Sequence, residues 1–195
     1  MMRPYIIGIS GGIGSGKSVV SRILRIWGYP VYDCDTEAKA LMDADAVIKQ
    51  RLVEDLDADV VSAGCIDRVR LAEIVFADDA KLSILNSIVH TAVRRHFAQW
   101  ASRQCRDIIF VETAILHSSG MVEDVDAEWH VTAPVDIRVA RVMRRNNATV
   151  QQVRSRIAAQ QADEGALALQ IPLIIIENDG QKALLPQIVT ALNNK

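Results

Sequence analysis

The chain has 195 residues, of which 50% are hydrophobic and 24% charged, enough apolar side chain for one core and too much for a disordered polymer. Lys and Arg number 22 against 24 Asp and Glu, a net charge of -2, so no global basic field recruits nucleic acid or an anionic membrane, and any anion site has to be local. Cys34, Cys65 and Cys105 are odd in number and far apart, with no C-x-x-C pair, and the apolar stretch after Arg3-Pro4 is too short for a secretion signal. They read as reduced, buried thiols of a cytosolic protein.

In chain order, short β-branched runs alternate with helical patterns, which predicts an α/β fold with a parallel sheet. Tyr5 to Ser10 is the first predicted strand, followed by a glycine-rich turn and a helix over Val19 to Trp27. Val31 to Asp33 is the second strand. A long helical insertion follows, in which Leu82, Leu85, Val89, Val93, Phe97 and Trp100 recur at helical spacing. Ile108 to Glu112, Trp129 to Ala133 and Leu173 to Glu177 complete a doubly wound, five-stranded parallel sheet. Between the last two strands, Asp136 to Ala162 is helical but broken near Asn146-Asn147, where Thr149 and Gln152 have capping-box spacing. That break reads as a mobile hairpin. The expected organisation is one domain over residues 1–195, with a core (1–35, 107–135 and 172–195), a helical insertion (36–106) and a hairpin (136–165).

The strongest chemical signal is Gly11-Gly12-Ile13-Gly14-Ser15-Gly16-Lys17-Ser18, which fits G-x-x-x-x-G-K-[ST] between a predicted strand and a predicted helix. Glycines let backbone amides turn inward as an anion cradle, and the helix N-terminus adds favourable potential for phosphate. Lys17 is placed to bridge the β- and γ-phosphates of a nucleotide. Ser18 offers a hydroxyl to Mg²⁺. The motif alone does not separate kinases, ATPases and switches.

The absence of an N-K-x-D stretch and of an L-S-G-G-Q signature favours a small-molecule kinase. Such an enzyme needs cations and a closing lid to keep water from the γ-phosphate. Arg138, Arg141, Arg144, Arg145, Arg154 and Arg156 crowd the second helical excursion; a solvated surface is the expectation for Arg138, Arg144 and Arg154. Asp33 and Asp35 follow the second strand, where one carboxylate can take a hydroxyl proton and the other orient Mg²⁺, or either can cap a helix. Glu112 ends its strand as a Walker B acid does. His90 lies on the flank of the long helix as a structural or a substrate-side histidine.

As a set, these residues resemble the dephospho-coenzyme A kinase family over nearly the whole chain. The resemblance is carried by G-G-I-G-S-G-K-S at Gly11 to Ser18, D-x-D at Asp33-Cys34-Asp35, the segment Leu85 to His90, R-x-x-x-R at Arg141 to Arg145, I-x-x-Q at Ile157 to Gln160, and N-x-G at Asn178-Asp179-Gly180. Thr91 stands where the family usually has Pro, Ala114 where Pro-Leu-Leu begins, Ser118 where an acid is common, Glu112 in place of Asp, Asn146 in place of a frequent Asp, and Pro172-Leu173 in place of Ala-Asp.

The resemblance implies a P-loop kinase fold with a helical substrate-binding insertion and a helical lid. It implies transfer of the γ-phosphoryl group of ATP, with Mg²⁺, to the ribose 3′-hydroxyl of dephospho-coenzyme A, the last step of coenzyme A biosynthesis. Asp35, Lys17 and Arg141 are then the expected catalytic residues. Gly12, Ile13, Gly14, Ser15, Gly16, Lys17, Ser18, Arg141, Arg145, Asn178 and Gly180 are expected at ATP, and Asp33, Asp35, His90 and Glu112 at the acceptor. Ser18 is the expected metal ligand. A different small alcohol or nucleoside as acceptor, and a nucleotide-binding switch, are the alternatives.

Overall fold

The computed structural model describes residues 3–164 and 171–194, so the expected segment ends at residues 1, 165 and 195 fall outside it. At its centre lies β1 (Tyr5–Ser10), in which every residue after Tyr5 is buried. A parallel strand covered on both faces has no solvent side to alternate with, hence the run Ile6-Ile7-Gly8-Ile9. The chain continues through α1 (Lys17–Ile26), β2 (Val31–Asp33), α2 (Cys34–Ala44), α3 (Ala46–Asp55), β3 (Val61–Ser62), β4 (Cys65–Ile66), α4 (Arg68–Phe76) and α5 (Asp79–Ser102). It then forms β5 (Ile108–Glu112), β6 (Ala127–Thr132), α6 (Val135–Asn146), α7 (Val150–Glu164), β7 (Leu173–Glu177) and α8 (Leu184–Asn193).

The main sheet has the order β2-β5-β1-β6-β7. β1 pairs in parallel with β5 (Ile9↔Glu112) and with β6 (Ser10↔His130), and β6 with β7 (Thr132↔Glu177), so the carboxyl ends lie along one edge. Strand order reverses direction at β1, and open α/β sheets bind ligands outside the carboxyl ends at such a point. This is the α/β five-stranded parallel sheet that the sequence predicts. β6 is shifted from the expected Trp129 to Ala133, because Ala127 and Glu128 extend the ladder against Ile7 and Gly8.

Residues 1–32 and 104–195 form one compact unit and residues 33–103 a second. In the first, Ile7, Ile9, Val20, Leu24, Phe110, Trp129, Ile176 and Ile188 pack into one cluster. The Phe110 and Trp129 rings sit 5.1 Å apart in a tilted arrangement, with Tyr29 edge-on to Phe110 at 5.6 Å. Trp129 is fully buried, and truncating such a side chain to Ala costs about 3–5 kcal/mol. A cavity of about 560 Å³ opens beside Tyr5, Trp129, Pro172 and Leu173, toward the amino ends of the strands and away from the ligand edge.

The second unit is helical, with a core of Ile48, Leu52, Val60, Leu71, Ile74, Val75, Ile88 and Ala92. Aspartates start its helices: the carboxylates of Asp33, Asp45, Asp67 and Asp78 accept from backbone N–H groups at the N-termini of α2, α3, α4 and α5. Each such cap stabilises by about 1 kcal/mol. The unit also holds the antiparallel hairpin β3–β4, which the sequence does not predict. Its turn has Ala63 at φ 49 and Gly64 at φ 76, a left-handed pair for which Ala is an uncommon first residue.

All three cysteines are free, but only Cys34 is buried. The expectation of three buried thiols fails at Cys65, on the two-residue strand β4, and at Cys105, in the connection before β5, because neither lies on a core-facing element. Among the described residues, no helix is long and apolar enough to cross a membrane.

Candidate active site

The loop 11–16 leaves the carboxyl end of β1 and delivers Lys17 and Ser18 into the first turn of α1. Three of its glycines are required by space as well as by backbone angle; at Gly11, with φ 127, a Cβ would stand 2.2 Å from the Val131 carbonyl oxygen. Gly14 has φ 79, and a Cβ there would stand 2.7 Å from the Arg138 carbonyl oxygen; Gly16 has φ 103, and its Cβ would fall 1.9 Å from Asn178 Nδ2. The loop is thus closed in by α6 and by the turn after β7, which leaves no room for side chains.

Lys17 Nζ donates to the Gly11 carbonyl at 2.6 Å, folding the ammonium over the start of the loop. Ser15 is buried, and its hydroxyl has no hydrogen-bond partner among the described residues. Ser18 is exposed at the start of α1. A buried hydroxyl in a glycine-rich loop and a serine beside the lysine suit a phosphate and an oxygen-liganded cation, so the residues present fit a magnesium nucleotide. Glu112 ends β5, is 8% exposed, and pairs in register with Ile9, two residues before the loop.

Arg141 projects from α6 onto the loop. Its guanidinium donates to the carbonyls of Gly14 and Ser15 at 3.4 and 3.3 Å, and to the backbone oxygen and Oδ1 of Asn178 at 3.0 and 3.2 Å. Asn178 completes the ring by donating Nδ2 to Ser15 O at 2.8 Å. Gly180, at φ 81, lies in the turn that follows, where Asp179 accepts from the N–H groups of Gln181 and Lys182 at 2.8 Å each. These bonds, that from Lys182 first, hold the Asp179 carboxyl below its ordinary value. Arg145 is elsewhere: it is exposed, and its Nε donates to Asn146 at 3.0 Å.

Arg138 corrects the sequence reading. Expected on a solvated surface, it is 6% exposed, and its Nε donates to the Ile13 carbonyl at 2.9 Å. Helical phase puts it on the side of α6 that carries Val142, against the loop. Arg144 and Arg154 are exposed as expected. The break in the hairpin is at Asn147, which adopts φ 55, and the capping box is formed: Thr149 N donates to Gln152 Oε1 at 3.0 Å and Gln152 N to Thr149 Oγ1 at 3.3 Å.

In the second unit, Asp33 is the N-cap of α2, accepting from Thr36 N at 3.1 Å, whereas Asp35 stands exposed in the first turn of that helix. Capping is the work of Asp33 and leaves Asp35 to solvent. His90 is half-buried in the middle of α5.

One cluster has no counterpart in the sequence reading. Glu128, 2% exposed on β6, accepts from the Ser10 hydroxyl and from His117 Nε2 at 2.9 Å, while His130 Nδ1 lies 2.8 Å from Ser10 Oγ. Ser10 and His117 can both donate to an ionised Glu128, while His130 Nδ1 faces both Ser10 Oγ at 2.8 Å and Glu128 Oε1 at 3.5 Å. Burial raises the Glu128 pKa, but hydrogen bonds from His130, Ser10 and His117, together with the charge of His117, hold it below its ordinary value. The available signal was Glu128 and His130, alternate residues of one buried strand face.

A family model described as dephospho-CoA kinase matches residues 5–183. The chain belongs to the dephospho-CoA kinase family. A dephospho-CoA kinase of Bacteroides fragilis (strain YCH46) is 44% identical over 184 residues, 94% of this chain and 89% of the relative. One from Porphyromonas gingivalis is 39% identical over 183 residues, 94% and 90% of the two chains. Among solved structures, TT1252 from Thermus thermophilus superposes with a TM-score of 0.79 at 35% identity, covering 99% of this chain and 96% of that one. Family membership therefore spans both the phosphate loop and the helical unit.

Proposed function

We propose that this protein transfers the γ-phosphoryl group of ATP to the ribose 3′-hydroxyl of dephospho-coenzyme A, giving coenzyme A and ADP. The observation that carries the reading is the glycine-shaped loop at the reversal point of the sheet, with Lys17 over it and Arg141 and Asn178 closing its side, in a chain of this family. Transfer needs the γ-phosphorus in line between the attacking 3′-oxygen and the departing β–γ bridging oxygen. Amides of Gly14 to Ser18 hold the phosphates, and Lys17 leaves Gly11 O to neutralise them. Arg141 sets its charge beside the nucleotide, Asn178 and Gly180 shape the adenine side, and Arg145 joins the phosphates when the hairpin closes.

Ser18 would hold Mg²⁺, which would supply positive charge to offset the charge that spreads in transfer, and Glu112 would orient its waters or the acceptor. Asp35 takes the proton of the 3′-hydroxyl as the oxygen–phosphorus bond forms. Its freedom from capping supports that role, with Asp33 and His90 as acceptor contacts. The setting proposed is the cytosol.

Incubation with ATP, Mg²⁺ and a panel of acceptors, read by mass spectrometry and phosphorus NMR, tests the proposal. A 3′-phosphomonoester on dephospho-coenzyme A is expected. Preference for adenosine or another alcohol overturns the acceptor, and nucleotide binding without transfer to any acceptor overturns the kinase reading.

A further inference from the structure

One residue of the phosphate loop, Ile13, is held at three points by the α6–α7 hairpin. The Ile13 N–H donates to Gln160 Oε1 at 2.6 Å, and its carbonyl accepts from Arg138 Nε at 2.9 Å. Its side chain packs against Val139, Val142, Val153 and Ile157. No other loop residue has its N–H, carbonyl and side chain all engaged by that hairpin among the described bonds.

Planarity gives these bonds a consequence beyond packing. In a trans peptide the carbonyl of one residue and the N–H of the next lie in one plane and point opposite ways, and there are no cis bonds among the described residues. Holding Ile13 C=O on Arg138 therefore fixes the direction of the Gly14 N–H, aimed away from the guanidinium. Holding Ile13 N–H on Gln160 fixes the Gly12 carbonyl, which accepts from Ser15 N at 3.1 Å and so sets the turn of the loop. Burying an arginine costs desolvation that a hydrophobic residue would avoid, and the valine and isoleucine cluster beside it already supplies adhesion. What an apolar residue at 138 cannot supply is a direction for the carbonyl.

We infer that Arg138 and Gln160 are positioning residues for phosphate binding: by holding the C=O and N–H of Ile13 they orient the Gly14 amide for an anion and couple the α6–α7 hairpin to nucleotide affinity. The inference rests on the reading of residues 11–18 as the ATP loop. Neither side chain touches the reacting atoms; both act through the backbone.

The test uses Arg138→Met and Gln160→Met, which keep the apolar stem but remove the donor or acceptor, their double variant, and Arg138→Lys. ADP affinity by titration calorimetry, KM for ATP and for dephospho-coenzyme A, and the thermal midpoint are measured for each. Each Met variant should weaken ADP binding and raise KM for ATP about tenfold, with the acceptor KM within about twofold of the parent. The double variant should lose less than the product of the single losses, since the two bonds serve one loop segment. Arg138→Lys should fall between parent and Arg138→Met, and with Gln160→Met it carries the test if Arg138→Met does not fold. Nucleotide affinity within about twofold of the parent in the folded variants, with only the thermal midpoint lowered, overturns the inference, as does an equal rise in both KM values. Because ADP binding is read without an acceptor, a parent that binds ADP but leaves dephospho-coenzyme A untouched overturns the acceptor assignment alone. A parent that binds no nucleotide overturns both.

Discussion

Arg141 holds Asn178 at two atoms, donating to its backbone oxygen at 3.0 Å and to its side-chain oxygen at 3.2 Å, while the other guanidinium nitrogen reaches Gly14 O and Ser15 O. One planar fork thus joins α6, the phosphate loop and the turn after β7. Lysine keeps the charge but replaces the fork with a single ammonium. Arg141→Lys should lower kcat/KM for ATP by about tenfold or more with little change in thermal midpoint. Steady-state assays within twofold of the parent would make it an ordinary surface cation.

Lys17 Nζ donates to the Gly11 carbonyl at 2.6 Å, a bond that a phosphate oxygen can take over because both oxygens are acceptors and the ammonium sits on a flexible stem. Its loss removes charge where the transition state gathers it, while the core packed around Val20 and Leu24 is untouched. Lys17→Met should reduce turnover by at least about a hundredfold at saturating ATP and keep the parent's circular dichroism and melting profile. Turnover equal to the parent's would remove Lys17 from the mechanism.

The two aspartates after β2 separate by what each touches. Asp33→Ala removes the N-cap of α2 and should cost about 1 kcal/mol of stability. Asp35→Asn leaves the cap in place and should lower kcat by about 10² to 10⁴ with a smaller change in acceptor KM. Denaturation curves and initial rates on both variants decide it; a stability loss without a rate loss at Asp35 defeats its role as base.

The sheet was legible because each buried strand is a short β-branched run, and the phosphate loop because its glycines, lysine and serine are all local. Legibility failed where partners are distant in sequence. Arg138 reads as one of several arginines on a polar helix until Ile13 is seen to accept from it across 125 positions. Gln160 was marked only by its place in a family motif, and its bond to Ile13 spans 147 positions. The hairpin β3–β4 was invisible because two-residue strands have no periodicity, and its turn uses Ala63 where Asn or Asp would have signalled it. Asp33 and Asp35 were both candidates for capping on spacing, Asp33 the better placed, and the bond from Thr36 N assigns the cap to Asp33.

Glu128 provides a pH test that involves no substrate. Its carboxylate is held below the ordinary value of 4.5 because hydrogen bonds from His130, Ser10 and His117 outweigh the opposing effect of burial. A carboxyl whose folded pKa is depressed contributes stability that is fully present above its unfolded pKa and is lost as pH falls through its folded pKa. The parent should therefore lose this contribution only as pH drops below about 4.5. Glu128→Gln keeps the shape but gives Ser10 and His117 a neutral amide in place of an anion, so at pH 7 the variant should be less stable by about 2 kcal/mol. The gap should narrow as acid protonates Glu128 in the parent. Urea denaturation of both proteins at steps between pH 7 and pH 3 measures it, and a gap that stays constant across that range would show that Glu128 is not the ionised acceptor of the cluster.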